Sequence, residues 1–457
     1  MNAPGWVKRL RFPHPLVLLT GFIVAAAAMT HFLPAGEYDR REDPATGRTL
    51  VVPGTYEAVE SRPVGWFETF VAIPRGMADA ADVVFLVFLI GGAFAVVEAT
   101  GTLRRGINWL VGVLEGRERW AVPVICLAFA AAGATENMQE EIIALVPPLM
   151  LFTSRLGYVP LVAVAASAGS AFVGSAFSPI NPFQVQIAQR VSEVPVGSGG
   201  FYRLIFLLVA VGLWTWWTAR LAARTRGAPQ EPEHAAGDGG NDRLGRADGV
   251  IFLLVATTFG VLVWGLLTLG WGFDELSALF FIMGILVGLI GRLGVTGTAR
   301  AYVDGFRKMA FAALLIGFAR TIYVVMSDGL IIDTVVRGLF VPLESLPVAL
   351  SAVGMQGAQT VLHVLVPSVS GQAVLTMPVL IPLADLLAMP RQVTILAYHY
   401  GAGLCDLITP TNGALMAILA ASGVRFEGWI RFAFPRYLAL MGLGAASIVI
   451  ALAIGYS

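Results

Sequence analysis

Three glutamates stand within six residues of one another, in the run Thr135-Glu136-Asn137-Met138-Gln139-Glu140-Glu141. Apolar stretches flank the run on both sides, at 120–134 and 142–153. A carboxylate held inside a bilayer costs about 3 kcal/mol on insertion scales. Three so close together must meet cations, hydrogen-bond donors or water. One or two of Glu136, Glu140 and Glu141 are expected to bind a cation, a proton or a positively charged substrate group. A third would make structural hydrogen bonds. Thr135 is expected to assist the ion and Asn137 the substrate. The plainer reading, an exposed loop between two full spans, is disfavoured by the shortness of the flanking arms.

Two further runs break long apolar stretches. One is Ser178-Pro179-Ile180-Asn181-Pro182 and the other Thr409-Pro410-Thr411-Asn412-Gly413. Proline removes a backbone donor and breaks a helix. Opposed half-helix ends present partial charges, and unwound carbonyls suit Na⁺. Ser178 and Thr409 are therefore expected to serve an ion, and Asn181, Thr411 and Asn412 a substrate. Alone, Pro-x-Asn marks only a kink; the duplicate gives it weight. A neutral tip, Ser368, Ser370 and Gln372, can donate hydrogen bonds to a carboxylate. Asp406, three residues before the second break, fits an ion ligand or proton carrier. His399 is either a satisfied core histidine or a proton relay. Arg320, in mid-span, either pairs with a carboxylate or receives one from a substrate.

These residues need helices to hold them. The chain of 457 residues is 57% hydrophobic and only 13% charged, against about 25% charged in soluble domains. Its apolar blocks are long and do not alternate, and in lipid only helices and closed barrels satisfy the backbone. The fold class predicted is an all-α polytopic membrane protein with about nine full spans. Lys8, Arg9 and Arg11 place the N-terminus in the cytoplasm by the positive-inside rule. Span 14–34 follows, then a polar extracytoplasmic loop at 35–64, an amphipathic piece at 65–80 and span 82–102. The arms 120–134 and 142–153 are too short to cross, so 120–153 reads as a re-entrant hairpin. The broken helix 158–192 and span 201–223 complete the first half, 1–223. A hydrophilic cytoplasmic linker, 224–247, leads to the second half, 248–457. There the spacing predicts spans 248–271 and 274–294, an amphipathic piece at 296–308, span 309–327, a hairpin of half-length arms over 346–387, a broken helix over 391–422 and a last span ending outside. Trp214, Trp216 and Trp217 read as an interfacial belt. Cys126 and Cys405 lie in apolar runs and read as small core residues, with no disulfide framework.

The halves are related. Ser178-Pro179-Ile180-Asn181 and Thr409-Pro410-Thr411-Asn412 lie 231 positions apart, as do Pro147 and Pro378. Arg75-Gly76-Met77 and Arg307-Lys308-Met309 lie 232 apart. Counting spans makes the halves antiparallel, with hairpins entering from opposite faces. Inverted repeats with broken helices near the midplane mark secondary transporters. Net charge is zero, which argues for neither a nucleic-acid nor an acidic partner. No phosphate-binding Gly-Lys-Ser/Thr, His-Glu-x-x-His or Gly-x-Ser-x-Gly motif occurs, so ATP drive, metalloprotease and serine-hydrolase chemistry have no support.

Ser370-Gly371-Gln372-Ala373, Thr376-Met377-Pro378, Pro382-Leu383-Ala384-Asp385 and Arg391-Gln392, with Asn181-Pro182-Phe183, Ile187-Ala188-Gln189 and Glu140-Glu141, resemble the YfcC-like branch of the C4-dicarboxylate anaerobic carrier (DcuC-like) family. The resemblance covers nearly the whole chain. It implies the ion transporter superfamily, a scaffold with a moving elevator-type transport domain, a homodimer in the bacterial inner membrane, and C4-dicarboxylates or amino acids such as arginine and ornithine as substrates. Two features depart from the family pattern. Glu136 stands where members tend to be uncharged, and Ala402 and Asp406 stand where members often have Asp and Asn. The function expected is ion-coupled transport, driven by Na⁺ or H⁺ without a further cofactor, of a small carboxylate-bearing metabolite. An amino-acid carrier or exchanger is the alternative, and a channel or an intramembrane enzyme are remote ones.

Overall fold

The computed structural model describes residues 13–43, 48–113, 117–227, 244–269 and 271–456. Within these, no side-chain position is described for Asp43, Arg48, Val111, Glu136, Ala144, Val263, Leu266 and Leu267. The basic N-terminal residues and linker positions 228–243 lie outside the described residues.

The chain opens with α1 (Pro15–Phe32), then β1 (Gly36–Glu37), β2 (Arg40–Asp43), β3 (Arg48–Val51) and β4 (Glu57–Ala58). The strands pair antiparallel as β1 with β4 and β2 with β3, so the polar loop expected at 35–64 is two short ribbons and the protein is not wholly α-helical. The Asp333 carboxylate accepts from the Tyr38 N–H and the Arg40 guanidinium at 2.9 Å each, tying the ribbon to the helical body.

Next come α2 (Trp66–Asp79), α3 (Ala81–Ala99), α4 (Thr102–Val113) and the first hairpin, α5 (Ala121–Glu136) with α6 (Glu141–Arg155). Asn137 ends α5 in the left-handed region at φ 57°, a conformation that Asn tolerates better than most side chains. The broken helix consists of α7 (Pro160–Val164), a π turn, α8 (Ser170–Ala176) and, beyond the break, α9 (Val185–Val191). Hairpin and break sit close together because Gly133 and Gly174 let the backbones touch. A Cβ on Gly133 would lie 2.1 Å from the Ala171 carbonyl oxygen, and one on Gly174 2.1 Å from that of Ala130. Small residues at such crossings are the usual means of tight helix packing in lipid.

The remaining helices are α10 (Gly200–Thr225), α11 (Arg246–Trp264), α12 (Phe273–Ile290), α13 (Gly294–Asp328), α14 (Ile332–Phe340), α15 (Val348–Leu365), α16 (Val369–Leu386), α17 (Arg391–Cys405), α18 (Gly413–Ala421) and α19 (Phe426–Ala453). Helix α13 runs unbroken for 35 residues, where the sequence pattern predicts an amphipathic piece and a separate span. Nothing between Lys308 and Met309 interrupts the helix: there is no proline, and the charged side chains at 300–308 sit along its length.

Eight helices among the described residues are long and apolar enough to cross a membrane, against about nine expected. They include α15 and α16, so the second hairpin's arms, at 18 residues each, are longer than half-length. Only Val366, Pro367 and Ser368 separate them. Trp214 corrects the interfacial reading of its cluster. It is buried, its indole N–H donates to the Ala165 carbonyl at 2.8 Å, and it packs against Trp429 and Phe432. Trp216 is exposed, as the belt reading expected. Both cysteines are free and buried.

Candidate functional site

Two hairpin tips and the second break converge on one cavity of about 380 Å³. It is lined by Asn137, Gln139, Glu140 and Glu141 from the first tip, Ser368 and Ser370 from the second, and Asp406, Thr411 and Asn412 from the break. Asp79 and Asp82 at the α2–α3 junction, the start of α12, and Arg320 and Tyr323 of α13 complete the lining. Carboxylates therefore outnumber cations in the lining. The positions of Glu140 and Glu141 follow from local structure. They sit at the N-terminal end of α6, where the helix dipole favours negative charge, and Glu141 accepts from the Gln139 N–H at 3.2 Å.

Asp406 is the centre of a buried network. Its Oδ1 lies 2.8 Å from His363 Nε2 and accepts from Asn412 Nδ2 at 2.6 Å. Its Oδ2 accepts from Gln139 Nε2 at 3.0 Å. One carboxylate thus joins both hairpins to the break. Asn412 is held in turn, since its side-chain oxygen caps α18 by accepting from the Leu415 N–H at 2.8 Å. Behind His363, its Nδ1 lies 2.8 Å from Gln372 Oε1, and Gln372 Nε2 donates to the Gln359 carbonyl at 2.8 Å. Gln372 is therefore buried behind the second tip rather than in the cavity wall.

The first break is built the same way at the same spacing of 231. Asn181 Nδ2 donates to Ser175 Oγ at 3.3 Å, as Asn412 donates to Asp406. Asn181 Oδ1 accepts from the Gln184 N–H at 3.0 Å, as Asn412 accepts from Leu415. Asn137 closes this cluster, accepting from Ser175, Gln184 and Asn181. Ser178 donates to the Ala134 carbonyl and accepts from the Ile180 and Asn181 N–H groups at 3.0 and 2.9 Å, which pins the break to the hairpin. Side chains thus replace hydrogen bonds that the prolines remove.

Other residues singled out from the sequence fall elsewhere. The Thr135 hydroxyl donates to the Ala131 carbonyl of its own helix at 2.9 Å. Thr409 and Thr411 share a hydroxyl–hydroxyl bond of 2.7 Å, and only Thr411 lines the cavity. The side chain of Glu136 lies outside the described residues. His399 bonds the Ser175 carbonyl through Nε2 at 2.9 Å. Arg320 pairs with Asp79 and lies over the Tyr323 ring at 4.6 Å, the carboxylate-paired option of the two expected. It also lines a second cavity, of about 670 Å³, between the ribbons and the second hairpin.

Sequence reasoning missed His363, Asp79 and Asp82. A signal for His363 was present. Gln356, Gln359, Thr360 and His363 form a polar stripe at helical spacing along an otherwise apolar arm.

The chain is similar to several known proteins. The chain is 30% identical to a putative basic amino acid antiporter of Escherichia coli, YfcC, over 473 positions and 93% of each chain. It is 26% identical to an uncharacterised Haemophilus influenzae protein over 98% of this chain and 99% of that one. Among solved structures it resembles the Alcanivorax borkumensis YdaH transporter (TM-score 0.45, 17% identity, covering 97% of this chain and 99% of that one). It also resembles Neisseria gonorrhoeae MtrF, from a class of antimetabolite efflux pumps (TM-score 0.44, 16% identity, 98% and 97%). The C4-dicarboxylate anaerobic carrier family, DcuC, matches residues 12–453. With that match running over nearly its whole length, the chain belongs to this family of multi-pass membrane transporters.

Proposed function

We propose that the protein is an ion-coupled secondary transporter of a small carboxylate-bearing metabolite, working by alternating access. The observation that carries the reading is the convergence of both hairpin tips and the second break on one buried carboxylate at the edge of a polar cavity. Arg320, Ser368 and Ser370 offer a substrate carboxylate one cation and two hydroxyls. Glu140, Glu141 and Asp406 serve a cation or proton. The matching bonds of Asn181 and Asn412 support a duplicated unit, 1–223 and 248–457, which we read as inverted. We read the hairpins and breaks as the moving part of an elevator, and α2, α3, α12 and α13 as a scaffold that would also carry the homodimer contact; both groups line the cavity, and α18 packs directly on α13 beside it.

A second reading has a specific observation behind it. Asp79, Asp82, Glu140, Glu141 and Asp406 line the cavity with Arg320 as the cation, and Arg320 is already paired. A substrate bearing an amino or guanidino group beside its carboxylate would meet these acids, and a relative is named a putative basic amino acid antiporter. Uptake of labelled succinate and L-arginine into proteoliposomes, under imposed Na⁺ or H⁺ gradients, tests both. Saturable flux that responds to a gradient supports the coupled carrier. Unsaturable flux indifferent to both gradients would overturn it. Loss of arginine but not succinate uptake in Glu140→Gln or Glu141→Gln would favour the amino acid.

A further inference from the structure

We infer that His363 and Asp406 together hold one exchangeable proton, and that this proton fastens the second hairpin to the second break. Its role in coupling rests on the transport reading above; its presence does not.

The inference follows from which atoms can donate. The Gln359 backbone carbonyl can only accept, so the Gln372 nitrogen must face it, at 2.8 Å. Gln359 is oriented in turn by donating to Thr376 Oγ1 at 2.8 Å, while Thr376 donates to the Gln372 carbonyl at 2.8 Å. The Gln372 oxygen is thereby turned to His363 Nδ1, which must carry a hydrogen to meet it at 2.8 Å. That fixes the ring from behind. In a neutral imidazole with hydrogen on Nδ1, Nε2 is a bare lone pair. It faces a carboxylate oxygen at 2.8 Å. Two lone pairs at that distance repel, so one further proton must lie between them, on His363 Nε2 or on Asp406 Oδ1.

The carboxylate is fixed just as firmly. Asn412 is oriented by its cap on the Leu415 N–H, so its nitrogen faces Oδ1, and Gln139 donates to Oδ2. Other ionisable groups lie around the pair without supplying this hydrogen. Cys405 turns to the Thr360 carbonyl and Tyr398 donates to the Val369 carbonyl. Tyr437 enters from α19, which packs on α15 and α17. Across the cavity wall stand Glu140, Glu141, Asp79, Asp82 and Arg320, which share that space with Asp406. Uptake of H⁺ from hydronium in the cavity leaves water behind and takes the pair from net −1 to neutral. Loss of the proton leaves α15 opposed to the break, and the hairpin loses its closest tie to Asp406 there.

The test is solid-state NMR of the full chain in lipid bilayers with ¹⁵N-labelled histidine, alongside infrared spectroscopy of the carboxyl region. The His363 signals are those that vanish in His363→Gln. His363 should show either two protonated nitrogens, or Nδ1–H with a protonated-carboxyl band that vanishes in Asp406→Asn. In Asp406→Asn any second ring proton should also be lost. A neutral ring protonated on Nε2 alone, opposite an ionised Asp406, would overturn the inference, because it needs no shared proton. Proteoliposomes give the coupling readout, with succinate and L-arginine as probes. The ratio of uptake with and without an imposed pH gradient should fall to one in His363→Gln. If neither probe moves through the native protein while the NMR signature is present, the transport reading fails and the proton site stands. If a probe moves and the ring is the Nε2–H tautomer, only this inference fails.

Discussion

His363 Nε2 lies 2.8 Å from Asp406 Oδ1, with both side chains at most 1% exposed. The two residues are 43 positions apart and belong to different parts of the second half, a hairpin arm and a half-helix end. Their contact adds a polar tie to the packing of α15 on α17, where Thr360 also donates to the Gly401 carbonyl at 3.0 Å.

Removing one partner alone leaves the other polar group stranded in the interior. His363→Leu and Asp406→Leu should each destabilise the protein by about 3–5 kcal/mol. The double variant removes the bond between the two as a unit, though Gln139, Gln372 and Asn412 still lose a partner, and should lose less than the sum, with a coupling energy of about 0.5–3 kcal/mol. Thermal melts of the four proteins in one detergent measure this. Strict additivity would show that the pair is not energetically joined.

Arg320 and Asp79 form a pair of another kind. At 36% and 44% exposure the partners are open to the cavity, and pairs so exposed contribute about 0–1 kcal/mol. Asp79→Asn should therefore barely change the melting temperature while freeing the guanidinium. If Arg320 receives a substrate carboxylate, Asp79→Asn should lower the KM for succinate. Arg320→Gln should raise it about tenfold or more, since a charge-assisted hydrogen bond contributes about 1.5–3 kcal/mol and 1.4 kcal/mol is a factor of ten. Equal weakening by both variants would instead make Asp79 part of the binding surface in its own right.

The difference between these two pairs explains what the sequence could disclose. Prolines, polar runs and apolar blocks are local signals, and they place both hairpins and both breaks close to where they occur. Side-chain partners are not local. Arg320 meets Asp79 from 241 positions away, and Asp79 reads in sequence as the end of an amphipathic helix. His363 lies on a polar stripe that faces the break, but the stripe has no meaning until α15 is packed against α17. The single helix α13 was hidden for another reason. Its polar first turns and apolar remainder differ in character while sharing one unbroken backbone.

The closeness of α5 and α8 gives a prediction about assembly. A methyl group added at Gly133 or Gly174 would meet a backbone carbonyl at 2.1 Å, and backbone cannot swing aside as a side chain end can. Gly133→Ala and Gly174→Ala should each cost about 1–3 kcal/mol, the usual range for overpacking. Because Asn181 also donates to the Gly133 carbonyl at 3.0 Å, Gly133→Ala should disturb the first break as well. Thermal melts check the first claim, and hydrogen exchange at the Gln184 amide checks the second. Normal protection at Gln184 in Gly133→Ala would mean that the break holds its shape without the hairpin.

Asp333 offers a test on the ribbon side. Its buried carboxylate accepts from the Tyr38 backbone and from Arg40, beside a Gly36 N–H bond to the Leu330 carbonyl at 2.9 Å. Arg337 stacks over Tyr56 at 4.4 Å, Tyr56 bonds Thr334 at 2.9 Å, Thr334 donates to the Pro34 carbonyl at 2.8 Å and β3 packs on α16, so the ribbon keeps further holds. Asp333→Ala removes hydrogen bonds to a charged group, each contributing about 1.5–3 kcal/mol. Local opening at Tyr38 should then rise by roughly 10-fold to 100-fold, read as faster amide exchange there. Asp333→Asn keeps an oxygen for the Tyr38 N–H but loses the charge facing Arg40, so its exchange should fall between the native and Ala proteins. The ribbon residues Thr49 and Val51 share a cavity with Ser368 and Ser370 of the second tip. Exchange at those tip amides should therefore rise with that at Tyr38 if the ribbon braces the hairpin. Unchanged tip exchange beside a loosened Tyr38 would show the ribbon to be a cover with no mechanical hold on it.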